Sequence, residues 1–223
     1  MLNSKTIIHL YDETYFLGGI SKFNNQKIGC GGWEEFKNDK IHQDKINIIK
    51  CLDFKDKNVL DIGFGRGEIL KYCYENGARS CVGIDYSPAA FKIASEYLKN
   101  TNVKLYCLAA DEIIKVKEND FEVIYMGDIL EHVSNNEWEE CFKTLKYKLN
   151  INCALSARTP AVRRGDYLQM HNNYHSMESL MGLFEKIFKI VTISNKKNTY
   201  IIYCKEVGCG LRDDSSKILL QQP

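Results

Sequence analysis

The sequence predicts an α/β fold: a mostly parallel sheet with helices on both faces. Three observations carry this. From Val59 onward, short apolar runs alternate with stretches of helical period, the pattern of parallel strands joined by crossover helices. The segment Asn58-Val59-Leu60-Asp61-Ile62-Gly63-Phe64-Gly65-Arg66-Gly67 reads as a buried strand running into glycines at every second position. Glycines there let the backbone turn tightly and let a ligand lie against bare main chain. Acidic residues then recur just past later strands, at Asp85 and Asp111.

The elements follow in order. A leading helix is expected over 36–52, a first strand over 58–62, and a helix over 68–75 stopped by Gly77. The second strand, 80–84, ends at Asp85. Ser87 and Pro88 then open a helix, with Ser as N-cap and Pro in the first turn. The third strand spans 103–108 and the fourth 121–126. Ser134 to Glu137 has the spacing of a capping box, and the helix behind it places Trp138, Cys141, Phe142, Leu145 and Leu149 on one face. A fifth strand is expected over 152–157, and the polar stretch 158–175 reads as a loop. Ser176 caps a helix with Leu180, Leu183, Phe184, Ile187 and Phe188 inward. Strands over 190–193 and 199–204 form a closing hairpin around 195–198. This divides the chain into a lid or extension (1–35), a main domain (36–206) and a polar tail (207–223).

Composition narrows the function. A net charge of +1 argues against a protein dominated by nucleic-acid or anionic-membrane contacts. The 9 cysteines are scattered without C-x-x-C pairs, which fits buried reduced thiols better than a disulfide scaffold. The opening residues lack an apolar signal-peptide core, and no stretch approaches the length of a membrane span. The expected location is cytoplasmic.

The glycine spacing departs from the dinucleotide fingerprint, because Gly67 comes one position too early. Asp61, just before the loop, would repel a pyrophosphate and attract an ammonium group. Asp85, about twenty residues on, is placed to accept hydrogen bonds from both hydroxyls of a ribose. Asp111 suits an adenine amino group.

On these residues, and on Asp128-Ile129-Leu130-Glu131-His132-Val133, the chain resembles the class I S-adenosylmethionine-dependent methyltransferases. The resemblance implies a single Rossmann-like sheet of seven strands whose last strand is antiparallel. It also implies S-adenosylmethionine as cofactor, with Gly63 and Gly65 at its methionine end, Asp85 on the ribose and Asp111 at the adenine. Asp61, Tyr86, Glu112 and Asp128 complete the expected cofactor set.

Methyl transfer from a sulfonium is an in-line displacement, and a hydroxyl acceptor needs help losing its proton. Asp128, Glu131 and His132 follow the fourth strand where acceptor would meet methyl, and are the expected catalytic residues. Two carboxylates and one or two imidazoles, from Asp128, Glu131, His132 and His171, suit a divalent cation such as magnesium or manganese. A metal-free Glu-His pair serves as a base or orienting group equally well. The D-x-x-E-H pattern with a later His resembles metal-assisted O-methyltransferases, notably the ubiquinone-pathway enzymes and the small-RNA 2′-O-methyltransferases; those families tend to have Glu where this chain has Asp128.

For the acceptor, Arg158, Arg163 and Arg164 offer forks for carboxylate or phosphate, with His171 and His175 in the same stretch. Tyr11, Tyr15 and Trp33 lie in N-terminal stretches similar to those of bacterial methyltransferases of surface-polysaccharide and natural-product pathways. The expected reaction is O-methylation of a small, polar, anionic metabolite. N-methylation of an amino sugar or other small amine is the alternative, ahead of RNA modification and of cofactor binding without catalysis.

Overall fold

A computed structural model describes residues 7–20, 27–28, 38, 40–161 and 173–208. Its centre is a seven-stranded sheet: β1 (Asn58–Ile62), β2 (Ser80–Asp85), β3 (Lys104–Cys107), β4 (Phe121–Gly127), β5 (Leu149–Pro160), β6 (Phe188–Asn195) and β7 (Thr199–Val207). The spatial order is β3-β2-β1-β4-β5-β7-β6. The pairs β1–β2, β1–β4, β2–β3 and β4–β5 are parallel, and β7 runs antiparallel to both β5 and β6. The expected α/β sheet with its antiparallel last strand is therefore present.

Strand order reverses beside β1, which has β2 on one side and β4 on the other. At such a switch point the connections leave the sheet in opposite directions, and a crevice opens beyond the strands' carboxyl ends. The glycine turn after β1, Asp85 at the end of β2 and Asp128 after β4 all fall on that edge.

Helices cover both faces. On one lie α2 (Lys40–Lys50), α3 (Glu68–Glu75) and α4 (Pro88–Tyr97), burying Ile46, Ile49, Ile69, Leu70, Cys73, Ala90 and Ala94 against Val59 and Val123. On the other lie α5 (Asn135–Leu145) and α6 (Met177–Phe184), which pack Trp138, Phe142, Leu180 and Phe184 against Leu60, Ile62, Ile124 and Met126. Alternation along β1 thus sends Leu60 and Ile62 to one layer, and Val59 and Asp61 to the other. A short helix, α1 (Glu13–Leu17), precedes the domain and starts on Asp12, whose carboxylate caps Tyr15 N–H.

Three boundaries differ from expectation. Leu149 is not on the α5 face: the helix ends at Leu145, a 3-10 turn follows over Lys146–Lys148, and Leu149 begins β5. β5 runs on to Pro160 because β7 pairs with it as far as Pro160↔Thr199, so Arg158 sits on a strand and not in a loop. Phe188 likewise opens β6. In each case cross-strand pairing overrides the local pattern. The expected helix start at 36, Trp33 and the tail beyond 208 lie outside the described residues.

The α5 capping box is built as its sequence suggests. Ser134 Oγ accepts from Glu137 N–H, and Glu137 Oε2 accepts from both Ser134 N–H (3.0 Å) and Ser134 Oγ–H (2.6 Å), all in buried surroundings. Ser134→Ala is expected to destabilise the protein by about 1–2 kcal/mol, because it also strips a partner from buried Glu137. Thermal unfolding checks this through a Tm decrease of roughly 2–4 °C per kcal/mol.

Candidate functional site

The glycine turn after β1 needs glycine for two separate reasons. Gly63, Gly65 and Gly67 have φ of +83°, +56° and +85°, in the left-handed region that side chains disfavour. A Cβ at Gly63 would also lie 2.8 Å from Ile129 Cγ1, whereas the space over Gly65 holds nothing nearer than Phe16 at 3.8 Å. The turn therefore packs closely on the loop after β4 at one end and leaves bare backbone at the other.

Asp85 ties this turn to β2. Its Oδ2 accepts Gly65 N–H at 2.9 Å and its Oδ1 accepts Ser87 N–H at 2.9 Å. Burial pushes its carboxyl up to about 6, against the pull of those two hydrogen bonds. An ionised carboxylate offers about four acceptor positions, so two are left for a ligand's hydroxyls. Asp85 lines an open cleft with Ile62, Gly63, Ile84, Tyr86, Leu108, Ala109, Ala110, Ile129 and Val133. Asp111 and Glu112 stand just beyond Ala110, in the first turn of the 3-10 segment Ala110–Lys115. Glu112 is spent locally: it accepts Ala109 N–H at 3.1 Å and pairs with Lys115 at 2.6 Å.

Asp61 is 2% exposed, and its Oδ1 has no hydrogen-bond partner among the described residues. Burial raises its carboxyl to about 8; nearby Asp85 and Glu68 add to this, and Lys45 opposes it. A buried carboxylate short of partners beside bare glycine backbone fits a ligand that brings an ammonium group and a ribose, as S-adenosylmethionine does.

The loop after β4 forms the other wall. Asp128 has φ of +54°, a left-handed conformation that costs a residue other than glycine about 1–3 kcal/mol. Three contacts hold it: its N–H donates to Arg158 O at 2.9 Å, Oδ1 pairs with Arg158 Nε at 3.0 Å, and Oδ2 pairs with Lys45 Nζ at 2.9 Å. Burial pushes the Asp128 carboxyl up, but Lys45 and Arg158 outweigh it and hold the group below the usual carboxylate range.

Ile129 and Val133 line the cleft, and Glu131 and His132 lie between them in the segment that forms this wall. Both are buried. Glu131 Oε2 accepts from Thr159 Oγ–H at 2.9 Å, and its Oε1 lies 3.8 Å from His132 Nε2. Burial and the neighbouring Asp128 charge push the Glu131 carboxyl upward. His132 Nδ1 is 2.7 Å from Tyr11 Oη, with the rings edge to face. Tyr11 also meets Tyr15 and Tyr86 edge to face, and its carbonyl accepts Ser87 Oγ–H at 2.7 Å. The N-terminal segment is thereby fixed across the cleft, helped by Arg66 Nη1 donating to Phe16 O at 3.2 Å.

Several expected residues have other occupations. Arg158 pairs with Asp128. His175 is 6% exposed, and its Nε2 donates to Leu130 O at 3.1 Å, which bends the acceptor assignment toward holding the wall. Asn173 does the same through its N–H to Glu131 O at 3.0 Å. Asp128 is engaged by two cations, and among the described residues no three His, Cys, Asp or Glu side chains converge on a metal position. His171, the fourth residue of the expected ligand set, lies outside the described residues. Trp33, Arg163 and Arg164 lie outside them too. The sequence reading missed Lys45 and Thr159: each is an ordinary polar residue by spacing, and only the folded sheet brings it to the wall.

A family model described as a methyltransferase domain matches residues 59–150. The chain is 29% identical over 198 residues to the ubiquinone biosynthesis O-methyltransferase of Pelagibacter ubique, covering 80% of this chain and 79% of that protein. It is 32% identical over 130 residues to the phosphoethanolamine N-methyltransferase of Plasmodium falciparum, covering 56% and 45%. Coverage of another relative's length falls to 36%. Among solved structures, a SAM-dependent methyltransferase from Archaeoglobus fulgidus superposes with a TM-score of 0.61 at 18% identity, over 78% of this chain and 97% of that one. Among the described residues no helix is long and apolar enough to cross a membrane.

The raised carboxyl of Asp61 has a consequence for stability. Its folded value lies above the unfolded value of about 4, so its contribution is complete below that pH and is lost as pH rises through about 8. The ligand-free protein is expected to lose Tm between about pH 4 and pH 8, and Asp61→Asn to flatten that slope. Differential scanning calorimetry across the range checks it.

Proposed function

We propose, for a chain that belongs to the class I S-adenosylmethionine-dependent methyltransferases, that it methylates an oxygen of a small, polar, anionic metabolite. The single observation that carries this reading is the buried Glu131–His132–Tyr11 constellation in the wall of the cleft. The anionic character rests on Arg163 and Arg164 in the sequence, Arg158 being engaged by Asp128.

The cofactor, when bound, supplies an electrophilic methyl group on a sulfonium. The chain's own residues do the rest. Asp85 would hold the ribose hydroxyls on its two remaining acceptor positions, Asp61 the ammonium group, and Asp111 the adenine edge. Gly65 would give the methionine end bare backbone to lie against, beside Gly63, which packs under Ile129. Ile129 and Val133 exclude water from the wall.

His132 is the base in this reading. With its Nδ1–H donated to Tyr11 Oη, the Nε2 lone pair takes the acceptor's hydroxyl proton. The imidazolium that forms then faces Glu131 Oε1 at 3.8 Å, with Asp128 adding a second negative charge nearby. Such positioned proton transfer contributes about 10²–10⁴-fold. The catalytic roles of Glu131 and Asp128 are therefore electrostatic and orienting.

One observation favours N-methylation as a second reading. Three buried carboxylates lie along this edge of the sheet, Asp85 in the cleft lining with Asp61 and Glu131 behind it, an environment that also attracts an ammonium acceptor, and one relative is named for phosphoethanolamine.

The test is product formation. Purified protein and S-adenosylmethionine are incubated with hydroxylated aromatic acids, sugar phosphates and phosphoethanolamine, and the methylated atom is located by mass spectrometry. Methyl on oxygen supports the first reading; methyl on nitrogen alone replaces it with the second. His132→Ala is expected to lower kcat by about 10²-fold or more while leaving cofactor affinity nearly intact. Asp85→Ala is expected to weaken cofactor binding about tenfold or more, read by calorimetry. Exhaustive chelation followed by magnesium or manganese tests for metal: the donor arrangement leads us to expect an unchanged rate.

A further inference from the structure

We propose that Lys45 is a positioning residue for methyl transfer: by pinning Asp128 in its left-handed turn, it sets the stance of the wall that carries Glu131 and His132. The inference rests on the proposed use of those two residues.

The geometry is specific. Lys45 is on α2, and its Nζ reaches Asp128 Oδ2 at 2.9 Å across the carboxyl edge of the sheet. The side chains are only 22% and 25% exposed, so solvent screens the pair less than a surface ion pair. Arg158 takes the other carboxylate oxygen from β5. Asp128 is thus gripped from two elements at the residue where the chain adopts positive φ and turns into the wall. Three residues later stands Glu131, and four later His132. A carboxylate held on both oxygens cannot swing without releasing a cation, so the turn's direction is fixed by side chains and not by its backbone preference.

Lys45 also faces carboxylates on both sides of the cleft. Its charge favours ionised Asp61 and Glu68 on the cofactor side, and ionised Asp128 and Glu131 on the wall. The other cations at these carboxylates are Arg66, paired with Glu68, and Arg158, with His132 beyond Asp128. One ammonium therefore serves the turn and both groups of acids. Lys45 and Arg158 both lie outside residues 59–150, the segment matched by the family model.

The test compares Lys45→Met and Lys45→Arg with the parent in two measurements that need no acceptor. Hydrogen exchange reads opening of the amides at 129–133, and calorimetry reads affinity for S-adenosylmethionine as a function of pH. Lys45→Met is expected to speed exchange at 129–133 about tenfold or more. It should also move the midpoint of the affinity profile to higher pH by about half a unit or more, since Asp61 loses a positive charge that opposes its upward shift. Lys45→Arg should restore both. Either readout unmoved in Lys45→Met, or unrescued by Lys45→Arg, overturns the proposal. So does a uniform loss of affinity at every pH with parental exchange, which would make Lys45 a plain cofactor contact. Should Lys45→Met fail to fold, Asp128→Asn keeps the side-chain shape and weakens the same pair; parental exchange at 129–133 in that variant overturns the proposal equally. Failure of the parent to bind the cofactor would instead sink the family reading, and full turnover by His132→Ala would remove the proposed base.

Discussion

The Asp85 carboxylate, clamped between Gly65 N–H and Ser87 N–H, is the contact on which the rest of the site depends. It closes the glycine turn of one βα unit onto the helix start of the next. Ser87 carries the linkage further. Its Oγ caps α4 through Ala90 N–H at 3.1 Å and donates to the Tyr11 carbonyl at 2.7 Å, and Tyr11 Oη meets His132. A hydrogen-bonded path therefore runs from the proposed ribose acceptor to the proposed base. The two functions are carried by different strands, yet neither can be repositioned without breaking a bond in the path.

Charge supplies the second constraint. Asp61, Asp85 and Glu131 are all pushed upward, with burial the largest cause in each case. Burying carboxylates is unfavourable unless a cation compensates. Lys45 and Arg158 compensate Asp128, which is held low, but they leave Asp61 with an unpartnered oxygen. A ligand with an ammonium and a sulfonium group offers the missing positive charge. The polarity of the site is compatible with the ammonium-bearing ligand that the early third glycine and Asp61 suggest from sequence.

Much of the fold was legible because the signals were local. The capping box at Ser134, the Ser-Pro helix start and the glycine turn each depend on residues a few positions apart, and β1 and α3 fall at their expected limits. The errors came where pairing between distant segments decides. β5 absorbs Arg158 because β7 zips along it, and no periodicity in 149–160 announces this. The site was legible in the same measure. The acids at strand ends mark the cleft, but their partners do not show. Lys45 is one lysine among many on a polar helix, Thr159 is an unremarkable strand residue, and the Tyr11–His132 contact joins positions 121 apart. His175 was assigned to the acceptor from its neighbourhood in sequence, whereas the fold turns it back onto the Leu130 carbonyl.

The wall from Ile129 to Val133 shows where individuality enters a common core. Its first residue is preceded by a strained turn, and strain of this kind persists only where surrounding groups over-determine it. Here those groups come from three places: Lys45 on α2, Arg158 and Thr159 on β5, and Asn173 and His175 in the segment leading to α6. All five lie outside residues 59–150. The cofactor cleft itself is built almost wholly from within that segment. On the proposed reading, the residues that would seat the cofactor lie within 59–150, while the wall that would meet the acceptor is oriented by residues outside it.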